Sequence, residues 1–127
     1  YNWFAASDGR GIAPVGWHVP SDAEWDSLTA FLGGEGVAGG KLKETGTTHW
    51  LAPNSGATNE SGFSGLPGGH RIYDGSFDYI NWGGGWWSST ADNENDAWSR
   101  YLDCGNYDIW RYLEDKRYGR SVRCVKD

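Results

Sequence analysis

The spacing of apolar positions changes along this chain, and each change predicts a different element. Between Gly16 and Gly34, Trp25, Leu28, Phe31 and Leu32 recur at intervals of three and four residues, the period of one helix face. Pro20 ends the extended segment before them, and Ser21 and Glu24 form an S-x-x-E capping box. In such a box the serine hydroxyl accepts from a free backbone N–H of the first turn and the glutamate accepts from the backbone N–H of the cap residue. A helix of about three turns is predicted to start here, with Gly33 and Gly34 providing a left-handed exit. A second, shorter helix is predicted over Val37–Lys43, although its paired glycines weaken it.

Elsewhere the pattern is that of strands and loops. Tyr1–Ala6 is apolar and aromatic enough for a first strand, followed by a turn over Ser7–Gly11. Thr47–Gly69 is rich in Asn, Ser, Gly, Thr and Pro and predicts a long ordered loop, pinned by Trp50, Leu51, Phe63 and Leu66. Gly68–Ile80 and Trp82–Ser89 read as strands around a turn at Asp74–Gly75. In Ala97–Cys104 strict alternation sets Trp98, Arg100 and Leu102 on one face and Ser99, Tyr101 and Asp103 on the other. Tyr107–Leu113 sets Ile109 and Arg111 opposite Asp108, Trp110 and Tyr112, and a last strand over Arg120–Val125 turns Val122 and Cys124 inward. Tyr101, Asp103, Asp108, Trp110 and Tyr112 are thereby predicted to share one exposed surface.

Length and composition narrow the function. With 127 residues the chain is expected to form one domain, 1–127. Nine Trp, seven Tyr and four Phe place much of its apolar volume in rings, and 20 Gly imply many turns. A net charge of −6 argues against nucleic acid and against anionic lipid as partners. No apolar run approaches the ~20 residues of a membrane span, so direct membrane insertion is not expected. The opening YNWF reads as the interior of a strand without Met or signal peptide, which suggests processing or excision from a longer protein.

Candidate chemistry is sparse. Cys104 and Cys124 permit one disulfide, but Cys124 in the apolar run Val122–Val125 reads more simply as a small buried hydrophobe and Cys104 as an isolated thiol. His18, His49 and His70 lack metal-ligand spacing, and no Ser-His-Asp arrangement with a nucleophile elbow is present. Asp92, Asn93, Glu94, Asn95 and Asp96 offer hard oxygens suited to calcium, but the glycine of a calcium loop is replaced by Ala97, and a solvated acidic loop is the preferred reading. No cofactor and no metal site are therefore expected, with structural or ligand-bridging calcium at this loop as the lesser alternative. Trp86, Trp87 and Trp98 read as core, and Arg100, Arg111 and Arg123 as structural ion-pair partners.

Three segments in order, GWHVPSDAEWDSLTAFLGGEGVAGGKLKETG, LAPNSGATNESGFSGLPGGHR and WWSST…GRSVRCVKD, resemble the Fibrobacter succinogenes major paralogous domain over essentially the whole chain. That family is akin to the C-type lectin-like fold, in the branch shared with formylglycine-generating enzymes and with variable domains diversified by retroelements. The resemblance implies an α+β domain with two helices, a small twisted antiparallel sheet and long ordered loops, on bacterial surface or secreted proteins. In the diversified relatives the binding positions lie in the C-terminal tract and are filled by Asn, Asp, Ser, Tyr and Gly. Asp92, Asn93, Asn95, Ser99, Tyr101, Asp103, Tyr107, Tyr112 and Tyr118 match that pattern, whereas Arg120 stands where the family commonly has an aromatic residue.

The resulting expectation is a non-enzymatic, adhesin-like or receptor-like domain outside a bacterial cell. It would bind a glycan or a protein through Asp92, Asn93, Asn95, Ser99, Tyr101, Asp103, Tyr107, Asp108, Trp110, Tyr112 and Tyr118. Two cysteines, one of them in the terminal strand, do not make the reactive pair of an oxidase. An alternative reading is a structural or assembly module whose C-terminal tract packs against other domains of the parent protein.

Overall fold

A computed structural model describes all residues, 1–127. The chain runs α1 (Trp3–Ala6), β1 (Trp17–His18), α2 (Asp22–Phe31), α3 (Glu35–Leu42), β2 (Gly68–Arg71), β3 (Phe77–Ile80), β4 (Gly83–Ala91), β5 (Asp96–Asp103), β6 (Trp110–Asp115) and β7 (Val125–Lys126). The class is α+β, with five strands in the order β3-β2-β4-β5-β6 and a separate pairing of β1 with β7.

Helix α2 forms where the capping box places it. The Glu24 N–H donates to the Ser21 hydroxyl, and the Ser21 N–H donates to the Glu24 carboxylate at 2.8 Å. Helix α3 follows after Gly33 and Gly34, both at positive φ. Its glycines have a packing reason: a Cβ on Gly39 would stand 1.9 Å from the Asp108 carbonyl oxygen, and one on Gly40 2.3 Å from that of Gly56. Trp25, Leu32, Ala38, Leu42, Trp50, Trp86, Leu102, Cys104 and Ile109 form the main core between these helices and one sheet face.

Charged side chains join the helix to the sheet. Arg100, only 2% exposed, donates to Asp22 at 2.6 Å and also pairs with Asp26, while Arg111 closes on the other Asp22 oxygen at 2.7 Å. Arg111 also lies over the Trp98 ring at 3.3 Å. Burial opposes ionisation of Asp22, but hydrogen bonds from Arg111 and Arg100 outweigh it and hold its pKa below the ordinary value. Lys43, fully buried, donates to the carbonyls of Ser55, Asp103 and Asn106, and so pins the long loop to the end of β5.

Several local expectations are corrected. Tyr1–Ala6 is not a strand: Asn2 accepts the Ala5 N–H and caps a short helix. The sheet is mixed, since β2 runs parallel to β4 at Gly69–Gly84. Most of Arg120–Val125 is not a strand: Ser121 makes an isolated parallel bridge to Trp86 of β4, and only Val125–Lys126 forms a strand, paired with β1. Phe31 is 86% exposed, so the apolar stripe of α2 ends at Leu28 and Leu32. In the long loop Trp50 is sealed and donates to Gly65, and Phe63 packs on the core, but Leu51 and Leu66 are exposed. Cys104 and Cys124 are free thiols.

Candidate functional site

The sheet face opposite the main core is covered over only part of its length. Trp87 and Ala97 meet Ala6 of α1, with Trp3, Tyr118 and Val122 packed around them. Further along β4 the residues on this face are Gly83 and Gly85. A Cβ on Gly83 would stand 2.0 Å from the Tyr101 hydroxyl, and one on Gly85 1.9 Å from Nη1 of Arg120. Glycine in a strand interior marks such a close approach, and here it lets Tyr101 and Arg120 lie flat on the sheet. The result is an open groove of about 340 Å³ lined by Tyr79, Trp82, Tyr101, Trp110, Tyr112 and Glu114, with His70, Asp103 and Arg120 at its base.

The groove belongs to a continuous belt of rings. Trp110 stacks on Tyr112 at 6.4 Å and 16°, Tyr112 meets Tyr101 at 6.3 Å, Tyr101 meets Trp82 at 6.5 Å, and Trp82 meets Tyr79 at 5.2 Å. It continues from Tyr79 to His70, from His70 to Tyr118 and from Tyr118 to Tyr73, with centroids 5.3 to 5.9 Å apart. Strand register explains the first part, since Trp110 lies opposite Tyr101 and Tyr112 opposite Ser99 on neighbouring strands. Tyr79, Trp82, Trp110 and Tyr112 are 39 to 44% exposed, so each offers a surface while its remainder is packed.

Electrostatically the base of the groove is unusual. Arg120 is 5% exposed and pairs with Glu114, yet its Nε and Nη1 have no hydrogen-bond partner. Burial lowers the Arg120 pKa, with Glu114 and Tyr101 opposing. Burial also raises the Tyr101 hydroxyl above the usual phenol range, so Tyr101 is a neutral donor and acceptor. His70, half-buried, is pushed below its usual value, first by desolvation and then by Arg120.

The residues read from sequence separate into two groups. Tyr101, Trp110 and Tyr112 meet in the groove, and Tyr118 extends the belt. Asp103 lines the base, but it is buried and its carboxylate accepts from the Gly105 N–H and the Asn106 amide, so it shapes a turn rather than presenting an exposed carboxylate. Ser99 is fully buried, its hydroxyl directed to the Tyr112 carbonyl. Tyr107 packs over Gly56, and the Asp108 backbone packs against Gly39; neither lines the groove.

Asp92, Asn93 and Asn95 form the β4–β5 turn and also lie outside the groove. The Asn93 side chain accepts the backbone N–H groups of Asn95 and Asp96 and donates to the Asp92 and Asp96 carboxylates. Lys116 donates to the Asn93 and Glu94 carbonyls, placing an ammonium where a calcium ion would draw backbone oxygens. No group of three or more His, Cys, Asp or Glu side chains is arranged to hold a metal ion.

The chain matches the sequence profile of the Fibrobacter succinogenes major domain (Fib_succ_major) over residues 1–126. It belongs to this family. Neither curated proteins nor solved structures provided a match. Family membership does not by itself identify a ligand, so the groove has to be read from its own residues. His70, Tyr79, Trp82 and Arg120 are the part of this Fib_succ_major groove that the alternation of β5 and β6 did not reveal, whereas Glu114 continues the alternation of Trp110 and Tyr112 one residue beyond the predicted Tyr107–Leu113. Among the unrevealed residues Arg120 had a signal in Gly85, part of a glycine run in β4 that makes room for Tyr101 and Arg120.

Proposed function

We propose that this domain is a non-enzymatic glycan-binding module, displayed outside a bacterial cell, whose ligand lies along the belt from Trp110 to Tyr79. The observation that carries this reading is the continuity of half-exposed rings across neighbouring strands. Aromatic faces take the apolar C–H side of sugar rings, while Tyr hydroxyls and Glu114 supply hydrogen bonds to sugar hydroxyls. The groove is shallow and open at the surface, which suits a chain-like ligand. Tyr101 and Tyr112 also belong to the tract that diversified relatives vary, so a retroelement-diversified receptor is part of this proposal.

A glycan array probed with the wild type and with a Trp110→Ala/Tyr112→Ala double variant tests the reading. Binding to a saccharide class that disappears in the double variant supports it. Absence of any bound saccharide, or binding that the double variant leaves unchanged, overturns it.

One observation favours a second reading, a protein partner or a neighbouring domain of the parent protein. Strand β3 is an edge strand, and its Phe77 and Ile80 are 77% and 68% exposed. Exposed apolar edges are templates for pairing with another chain. Ile80→Ser, at a position that lines neither the groove nor any other cavity beside it, would weaken such an association in sedimentation measurements and leave saccharide binding intact.

A further inference from the structure

A second cavity lies behind the groove, on the far side of the wall formed by His70 and Arg120. It measures about 500 Å³ and is lined by Arg71, Arg117, Arg120, His70 and the glycine backbone at Gly69 and Gly119, among others, with no aspartate or glutamate. On a chain of net charge −6, a cavity whose lining holds three arginines and no carboxylate stands out, although Arg117 and Arg120 each have a carboxylate partner outside that lining. An extended acidic molecule would be repelled by most of this protein and attracted here.

The pairing of the three arginines shows what the cavity offers. Arg117 gives Nε and Nη2 to Asp115, rests on the Tyr73 ring at 5.0 Å, and keeps Nη1 free. Arg120 gives Nη2 to Glu114 and has two unpartnered buried nitrogens, Nε and Nη1, in the shared wall. Arg71, exposed on β2, makes no close ion pair; its guanidinium lies beside Gly75, where Asp74 balances it only at longer range, so it is the least compensated of the three. His70 adds a buried nitrogen, Nδ1, also without a partner. Buried donors without acceptors are costly, and an incoming acceptor relieves that cost.

We propose that this cavity receives an anionic substituent, a carboxylate or a sulfate ester, of the saccharide whose rings rest on the adjoining groove. Arg71 is the principal charged contact, Arg117 adds a second donor, and Arg120 in the shared wall couples the anionic site to the aromatic one. The ligand class is then an acidic glycan. This inference rests on the glycan reading, and it adds the charge of the ligand and the residue that selects it.

Two matched pairs of polymers provide the test: galactan with sulfated galactan, and glucan with its glucuronate form. Affinities are measured by calorimetry for the wild type, Arg71→Gln and Trp110→Ala, with thermal melting to verify folding. The expected result is at least about tenfold tighter binding of one acidic polymer than of its neutral partner, with the preference weakened by salt. Arg71→Gln should bring that ratio towards one, whereas Trp110→Ala should weaken both members of the pair. The pair that shows the preference identifies carboxylate or sulfate. Equal binding of neutral and acidic forms, or a preference that survives in Arg71→Gln, overturns the inference and leaves the glycan reading standing. Failure of all four polymers to bind the wild type overturns both.

Discussion

Arg100 and Arg120 lie against opposite faces of the same sheet, both nearly sealed from solvent, and differ in what surrounds them. Arg100 faces the helices and meets two carboxylates, Asp22 and Asp26. Arg120 lies over Gly85 with one carboxylate, Glu114, and keeps two nitrogens unpartnered. The tryptophans divide in the same way, Trp86 sealed in the main core and Trp110 two-fifths exposed. One face is saturated in its charges, the Trp25 indole N–H being its one buried donor without a partner, and its residues determine stability. The other is left with open rings and unmatched donors, the condition of a surface that awaits a ligand.

Removing the carboxylate at the centre of the saturated face should have the largest effect. Asp22→Ala leaves Arg100 buried with only the more exposed Asp26, and loss of a partner from a buried pair costs about 3–5 kcal/mol. Urea unfolding measures it, and a loss near zero would show that this face is not the stabilising one. Because the folded-state pKa of Asp22 lies below its unfolded value, its contribution is complete above pH ~4 and is lost as pH falls through the folded value. The wild type should therefore lose stability more steeply than Asp22→Ala on acidification below pH ~4.

The open face should respond in the opposite sense. Trp110→Ala is expected to weaken saccharide binding by about 2 kcal/mol, or ~30-fold, with a smaller loss of folding stability because the ring is partly solvated. If stability fell as far as in Asp22→Ala, Trp110 would be core and the contrast between the faces would collapse. Gly85→Ala probes the same face from below. Its Cβ would stand 1.9 Å from Arg120 Nη1 and force the guanidinium to move, at a cost of about 1–3 kcal/mol. Thermal melting together with the acidic-to-neutral affinity ratio would register that movement.

How far the two faces were legible in the sequence follows from what makes each. The saturated face is local and periodic: the capping box, the spacing of Trp25, Leu28 and Leu32, and the alternation of Arg100 and Leu102 identify it. For the open face, alternation found Tyr101, Trp110 and Tyr112, because strands β5 and β6 are regular there. Ser99 and Asp103 share that alternation but are buried, since β4 and β6 flank β5 and the turn after it occupies the Asp103 carboxylate. Trp82, Tyr79 and His70 reach the groove through the parallel pairing of β2 with β4 and through left-handed residues such as Tyr79, neither of which has a periodic signature. Arg120 stood out as a departure from the family's aromatic residue, and Gly85, which makes room for it, is its one further signal.

The smallest expected effect lies away from both faces and marks where their influence ends. His18 in β1 places Nδ1 2.6 Å from Asp127 and Nε2 2.8 Å from Glu24, so only the protonated ring, with two N–H donors, satisfies both carboxylates. Its pKa is accordingly raised, first by Asp127 and then by Glu24, and its stabilising contribution is complete below pH ~6.5 and lost as pH rises through the folded value. NMR titration should show His18 above its ordinary pKa and Asp127→Asn returning it towards that value. Glu24 is a less selective probe, because it also caps α2. Neither His18 nor these carboxylates line the groove or the arginine cavity. Asp127→Asn should therefore leave saccharide affinity unchanged, and a loss of affinity there would mean that the open face depends on the clasp between β1 and the C-terminal segment.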